Sequence, residues 1–202
     1  YMGYNGGSEG WYAEMVANGE AKLRTYGQYV GNRFKAHPNV LWVQGGDYNP
    51  PEKTLLRAVA NGIRDVDPAR LQTFHGSRGT PALGFLGAGV PSLTLNNIYT
   101  NESTVVSSAF TEYARSTMPF FLIEARYENE QGAGELVVRY QAYQAVLSGA
   151  AGHLMGLGDG NLPLRLALPG AGRRAVTRIA YAAAPSRVVV PVAFALAFPL
   201  LG

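Results

Sequence analysis

Short apolar strands alternate with helix-period segments up to about residue 156, and that alternation constrains the fold more than any other feature of the sequence. Residues 19–36 carry Leu23, Tyr26, Tyr29, Val30 and Phe34 at helical spacing until His37-Pro38 stops the pattern. A strand is predicted at 39–46, and a helix at 52–66 through Leu55, Leu56, Val59, Ile63 and Val66. Strands at 71–75 and 92–99, a helix at 103–116, a strand at 119–124, a helix at 135–147 and a last strand at 152–156 complete the series. Repeated strand–helix units imply a parallel sheet. A doubly wound sheet and a (β/α)8 barrel both fit the order. Polar residues at successive strand ends, His75, Asn97, Tyr99, Glu124 and His153, favour the barrel, whose sites gather there. About five strands cannot close a barrel of eight, and the Gly-rich opening (Gly3, Gly6, Gly7, Gly10) reads as a loop after an absent strand. The expected fold is therefore a partial α/β TIM barrel, about strands four to eight with their helices.

A chain of 202 residues with 47% hydrophobic content can bury a sizeable core, and disorder of the whole chain is excluded. The formal charge of +3 and the pI near 9.2 would ordinarily prompt a search for nucleic acid or an anionic membrane. The basicity, however, belongs to the end of the chain. Residues 157–202 hold five arginines and one acid, Asp159, which leaves 1–156 with twelve basic and thirteen acidic groups. No basic run with interleaved aromatics occurs in that body, so neither nucleic acid nor membrane is an expected partner. Without cysteine there is no disulfide framework and no thiolate metal site. No signal peptide opens the sequence; a secreted or periplasmic location is expected of a full-length relative. Composition and pattern are silent on oligomeric state.

From Leu157 the periodicity fails, and Ala, Leu, Pro, Val and Arg, the residues of GC-rich codons, dominate. If Arg187-Val-Val-Val-Pro191 is written CGC-GTG-GTG-GTC-CCN and read one base later, it becomes Ala-Trp-Trp-Ser, a reasonable end to a surface helix. The expected organisation is a partial barrel over 1–156 and an atypical tail, read as frameshifted, over 157–202. A genuine Ala- and Pro-rich tail, and a weak membrane-associating segment at 188–201, are the alternatives.

Two of the strands, Asn39-Val-Leu-Trp-Val-Gln-Gly-Gly-Asp47 and Phe120-Phe-Leu-Ile-Glu124, drive an apolar run into a carboxylate that is costly to bury without a partner. Glycosidic bond hydrolysis needs such a pair, one acid to protonate the leaving oxygen and one carboxylate to attack or to activate water. Counted as strands four and seven of eight, the two strands face each other across the barrel, and their carboxylates converge. Tyr48, Asn49, Tyr99 and Tyr127 would line the cleft. Glu128 rivals Glu124 or holds Arg126 or a sugar hydroxyl; Arg126 itself is either a substrate contact or the partner that keeps Glu124 ionised. Trp11 and Tyr4 would form a stacking wall or merely cover the barrel. His37 reads as a helix terminus, and His75 and His153 as hydrogen-bond partners of a sugar or a carboxylate. The three histidines match no metal-ligand spacing, and the opening glycines match no phosphate loop. No metal or cofactor is expected.

The words Gly31-Asn-Arg-Phe-Lys-Ala-His-Pro-Asn-Val-Leu-Trp-Val-Gln-Gly-Gly-Asp-Tyr-Asn-Pro50, Ile63-Arg-Asp-Val-Asp-Pro-Ala-Arg-Leu-Gln-Thr73, Glu124-Ala-Arg-Tyr-Glu128 and Tyr143-Gln-Ala-Val-Leu-Ser-Gly-Ala-Ala-Gly-His153 resemble the apiosidase-like glycoside hydrolases. The resemblance covers about residues 1–156. It implies a (β/α)8 enzyme related to the retaining hydrolases, with Asp47 as acid/base, Glu124 as nucleophile and a carbohydrate substrate such as a polysaccharide side chain. The family pattern also places three strands before Tyr1 and more chain after Gly156. A carbohydrate-binding remnant without turnover and a non-functional gene fragment are the rival readings.

Overall fold

The computed structural model describes residues 10–155, 163–167 and 179–180. The Gly3 to Gly7 loop, Tyr4 and most of the atypical tail, including 188–201, lie outside the described residues. Five βα-type strands follow one another: β1 (Trp42–Gly45), β2 (Gln72–His75), β3 (Asn96–Tyr99), β4 (Phe120–Glu124) and β5 (His153–Met155). Between and before them run α1 (Tyr12–Phe34), α2 (Lys53–Val66), α3 (Ala82–Leu86), α4 (Val105–Arg115) and α5 (Glu135–Leu147). β1 pairs with β2 in parallel, and β3, β4 and β5 pair in parallel. The result is an arc of a (β/α)8 barrel, the fold class expected from the alternation.

The strands are short and buried on both faces, as barrel strands are. Alternation sends Leu41, Val43, Leu95, Tyr99, Phe121, Ile123 and Leu154 into one cluster, the inside of the barrel. Trp42 and Phe74 turn outward to the α1 and α2 residues Val30, Leu55, Leu56, Val59 and Ile63. Ile98, Phe120 and Leu122 turn outward to Val105, Ala109 and Ala145 of α4 and α5.

The seam between β2 and β3 is closed mostly by side chains rather than by a regular ladder. The Thr94 and Leu95 N–H groups donate to the Gln72 carbonyl at 3.1 Å, and Gln72 N–H donates to Thr94 Oγ1 at 2.8 Å. Asn97 Nδ2 then donates to Thr73 Oγ1 at 2.8 Å and to the Phe74 carbonyl. Strand β3 accordingly begins at Asn96, although apolar residues start at Leu93. At the other end of the arc, β6 (Pro163–Ala167) runs antiparallel to β5, and β7 (Ile179–Ala180) antiparallel to β6. Both lie in the segment whose composition reads as atypical. No helix among the described residues is long and apolar enough to cross a membrane.

Candidate active site

Both carboxylates lie at the carboxyl ends of their strands, Glu124 as the last residue of β4 and Asp47 two residues beyond β1, and backbone strain is concentrated in the loops that follow. Asp47, Asn129 and Gln131 are the non-glycine residues with positive φ among the described residues, at 51°, 68° and 50°. All three lie in the loops after β1 and β4. Gly45 prepares the Asp47 turn. Its φ is +84°, and a Cβ there would sit 2.6 Å from the Phe74 ring and 2.7 Å from the His75 carbonyl oxygen. The chain turns so that the Asp47 N–H donates to Nδ1 of His75 at 2.9 Å.

That contact fixes the imidazole. A backbone N–H can only donate, so Nδ1 is an acceptor and the ring proton is on Nε2. Nε2 lies 2.7 Å from Glu124 Oε2, to which it donates. His75 is 2% exposed, and its ring lies 5.1 Å from that of Tyr99.

Glu124 reaches this position through an irregularity of the sheet. Ile98 pairs with Leu122, but Tyr99 pairs with Glu124, so two residues of β4 oppose one of β3. Phe120 and Leu122 face the helices, and unbroken alternation would send Glu124 the same way. The bulge re-aims it beside Tyr99. Burial alone would raise the Glu124 pKa, but hydrogen bonds from His75, Tyr127 and Tyr99 outweigh it and hold the carboxyl below the usual range. The Tyr99 hydroxyl is pushed up, first by burial and then by the negative charges of Glu124 and Asp47, with Arg78 partly offsetting them. Both carboxylates therefore act on one phenol. The Asp47 side chain is exposed and has no hydrogen bond or ion pair among the described residues.

The remaining sequence-predicted residues divide. Tyr127 joins the Glu124 cluster, its N–H anchored by Glu130 Oε2 at 3.0 Å. Arg126 does not pair with Glu124; it binds Glu102 at 3.1 Å and Gln131 at 3.0 Å, bracing the loop after β4. Glu128 is half-buried with no hydrogen bond or ion pair among the described residues. Asn49 uses both ends of its amide on the loop after β2, donating to Thr80 Oγ1 at 2.9 Å and accepting from Ser77 N–H at 3.0 Å. Tyr48 packs against Tyr12 of α1 with ring centroids 5.7 Å apart. Asn97 is fully buried inside the barrel, two residues short of the end of β3. Trp11, at the start of α1, is 55% exposed. His37 follows the end of α1, as expected of a helix terminus, with its ring against Phe34.

His153 lies apart from this cluster. It opens β5 rather than ending it, and it pairs with Leu122, whose side chain faces the helices, while its neighbour Leu154 faces the barrel interior. Its Nδ1 is buried with no partner among the described residues, and burial lowers its pKa to about 4. A histidine whose pKa is depressed on folding contributes stability above the unfolded value of 6.5 that is lost as pH falls toward 4. The protein is expected to be about 2 kcal/mol less stable at pH 5 than at pH 7 through this group alone. Urea unfolding of wild type and His153→Gln at both pH values measures it; parallel losses in the two proteins would refute the assignment.

Sequence reasoning missed Arg78. It lies over the Tyr99 ring with its guanidinium carbon 5.1 Å from the centroid, and it donates to the Tyr99 hydroxyl at 3.4 Å and to Asn101 Oδ1 at 3.1 Å. A lone cation three residues beyond a strand end was the available signal.

The match to known proteins covers the same part of the chain. Residues 2–159 match the family described as apiosidase-like, catalytic domain. A glycoside hydrolase family 5 structure from Bacteroides vulgatus ATCC 8482 is similar over 66% of this chain and 35% of that one, at 25% identity and a TM-score of 0.57. A second structure, titled "Glycoside hydrolase", is similar over 67% of this chain and 37% of that one, at 23% identity and the same TM-score. The chain thus spans little more than a third of the solved structures it matches. No similar sequence was found among curated proteins. With an arc of a (β/α)8 barrel, carboxylates at the carboxyl ends of its first and fourth strands and a family match over most of its length, this chain belongs to the apiosidase-like catalytic-domain family.

Proposed function

We propose that the cluster around Glu124, His75 and Asp47 is the centre of a retaining glycoside hydrolase acting on side chains of plant or microbial polysaccharides, with Glu124 as nucleophile and Asp47 as acid/base. The observation that carries this reading is the unequal treatment of the two carboxylates. Glu124 is gripped by His75, Tyr127 and Tyr99 in its charged form, whereas Asp47 keeps its carboxylate open. In the first step a Glu124 oxygen attacks the anomeric carbon while the Asp47 carboxylic acid gives its proton to the departing glycosidic oxygen. In the second, the Asp47 carboxylate takes a proton from water, whose oxygen attacks the same carbon and displaces Glu124. The role of Asp47 is supported by its place on the other side of the His75 ring from Glu124 and by its charge acting on Tyr99.

Proton NMR of the first hemiacetal released from aryl glycosides or plant pectic oligosaccharides tests the mechanism. The product is expected to keep the anomeric configuration of the substrate. An inverted product would overturn the roles given to both residues, and sugar binding without product would favour a binding remnant.

A further inference from the structure

We propose that His75 is a positioning residue that couples the two carboxylate segments: the Asp47 backbone N–H selects its tautomer, and the tautomer supplies the donor that orients Glu124. This rests on the reading of Glu124 as nucleophile. His75 ends β2, directly in register with Gly45 of β1, and Gly45 begins the turn that delivers the Asp47 N–H. Both ring nitrogens are engaged by the protein, at 2.9 Å and 2.7 Å, and the ring is buried, so it presents no nitrogen to a sugar. Packing against Tyr99 opposes rotation of the ring.

The ionisable groups around the imidazole come from four elements: Glu124 and Tyr127 from β4 and its loop, Tyr99 from β3, Arg78 from the loop after β2, and Asp47 from the loop after β1. Within this ring of groups the Asp47 N–H fixes which nitrogen carries the proton. A shift of the acid/base loop withdraws that N–H, releases the tautomer and loosens the nucleophile. The two carboxylate segments are thereby held in one geometry by a group that contacts the Glu124 carboxylate and the Asp47 backbone but presents no nitrogen to the substrate.

The two halves of the bridge separate by substitution. The amide of Asn reaches about as far as Nδ1, so His75→Asn keeps an acceptor for the Asp47 N–H and removes the donor to Glu124. Gln reaches about as far as Nε2, so His75→Gln keeps that donor and removes the acceptor. On aryl glycosides, His75→Asn is expected to lower kcat/KM roughly 100-fold and to move its acid limb up by about one pH unit. His75→Gln is expected to leave the acid limb in place and to lose about tenfold more rate on poor leaving groups than on dinitrophenyl glycosides, because the misplaced Asp47 matters only where a proton must be given. A merely structural histidine would lower stability in both variants and leave the acid limb and the leaving-group dependence at their wild-type values, which would overturn the proposal. Two-bond nitrogen–proton correlations of histidine-labelled protein give a readout independent of turnover. The Nε2–H pattern is expected for His75, and an Nδ1–H pattern would overturn the bridge. If Glu124→Gln keeps full turnover while the Nε2–H pattern is found, the nucleophile reading has failed and the bridge has not.

Discussion

Glu124→Gln is expected to lower kcat/KM on aryl glycosides by about 10,000-fold, or ~5.5 kcal/mol of transition-state stabilisation. The substitution changes little else. The glutamine carbonyl can still accept from His75 and one tyrosine hydroxyl while its NH2 donates to the oxygen of the other, so the bulge and the loop after β4 keep their contacts, and the near-ultraviolet circular dichroism is expected to match wild type. What disappears is the negative charge that burial opposes and the three donors sustain. Asp47→Ala gives the contrasting signature. Its first step is expected to stay fast on dinitrophenyl glycosides, whose leaving group needs no proton, and to fail on alkyl glycosides. The slow second step is expected to recover with azide, which attacks without a general base. Steady-state and burst kinetics on both classes of glycoside separate these outcomes. Equal losses for the two variants on every leaving group would show that the carboxylates do not divide the labour as assigned.

Such tests are possible because part of the site was legible in the sequence. The expected start of strand β4 at Pro119 falls one residue before its observed start at Phe120, and α5 occupies its expected residues 135–147, because Pro119 before the one and Gly134 and Gly149 around the other punctuate the chain clearly. The five-residue helix α3, with Gly84 in its middle, is too short to carry a period. Strand ends directed attention to Glu124, His75 and Tyr99, but not to the way they meet. The bulge at Tyr99 arises from how β3 and β4 pair, which no local pattern records. His153 illustrates the complementary difficulty. A histidine in a short apolar run reads equally as the start or the end of a strand, and only the pairing with Leu122 shows that it starts β5 and faces away from the barrel interior. Arg126 was open between two roles, and the fold gives it a third through Glu102, a residue 24 positions earlier in the chain.

Gly62→Ala is expected to destabilise the protein by ~3 kcal/mol and to lower its melting temperature by about 6–12 °C. In an exposed helix the same change would stabilise by up to about 1 kcal/mol, because glycine loses more backbone entropy on folding than alanine does. Here packing reverses the sign. A Cβ on Gly62 of α2 would lie 2.1 Å from the Arg24 carbonyl oxygen and 2.9 Å from the Gln28 nitrogen, both backbone atoms of α1. Gly27 of α1 meets α2 in the same way, with its Cβ 2.2 Å from the Val59 carbonyl oxygen. No rotamer change relieves contacts between two backbones, so the helices must separate and uncover Val30, Val59 and Ile63. Gly84→Ala, inside α3, is the control. Its Cβ would meet only Pro81 Cδ, at an ordinary 3.9 Å, so its melting temperature is expected to stay at or slightly above wild type. Thermal unfolding followed by circular dichroism compares the two, and a Gly62→Ala protein that melts with wild type would refute the close approach. The effect should extend to the site. The loop carrying Asp47 leads directly into α2, and Tyr48 of that loop packs on Tyr12 of α1, so a wedge between these helices shifts the Asp47 N–H away from His75. Below its melting temperature, Gly62→Ala should therefore also lose activity, most on the substrates that need their leaving group protonated.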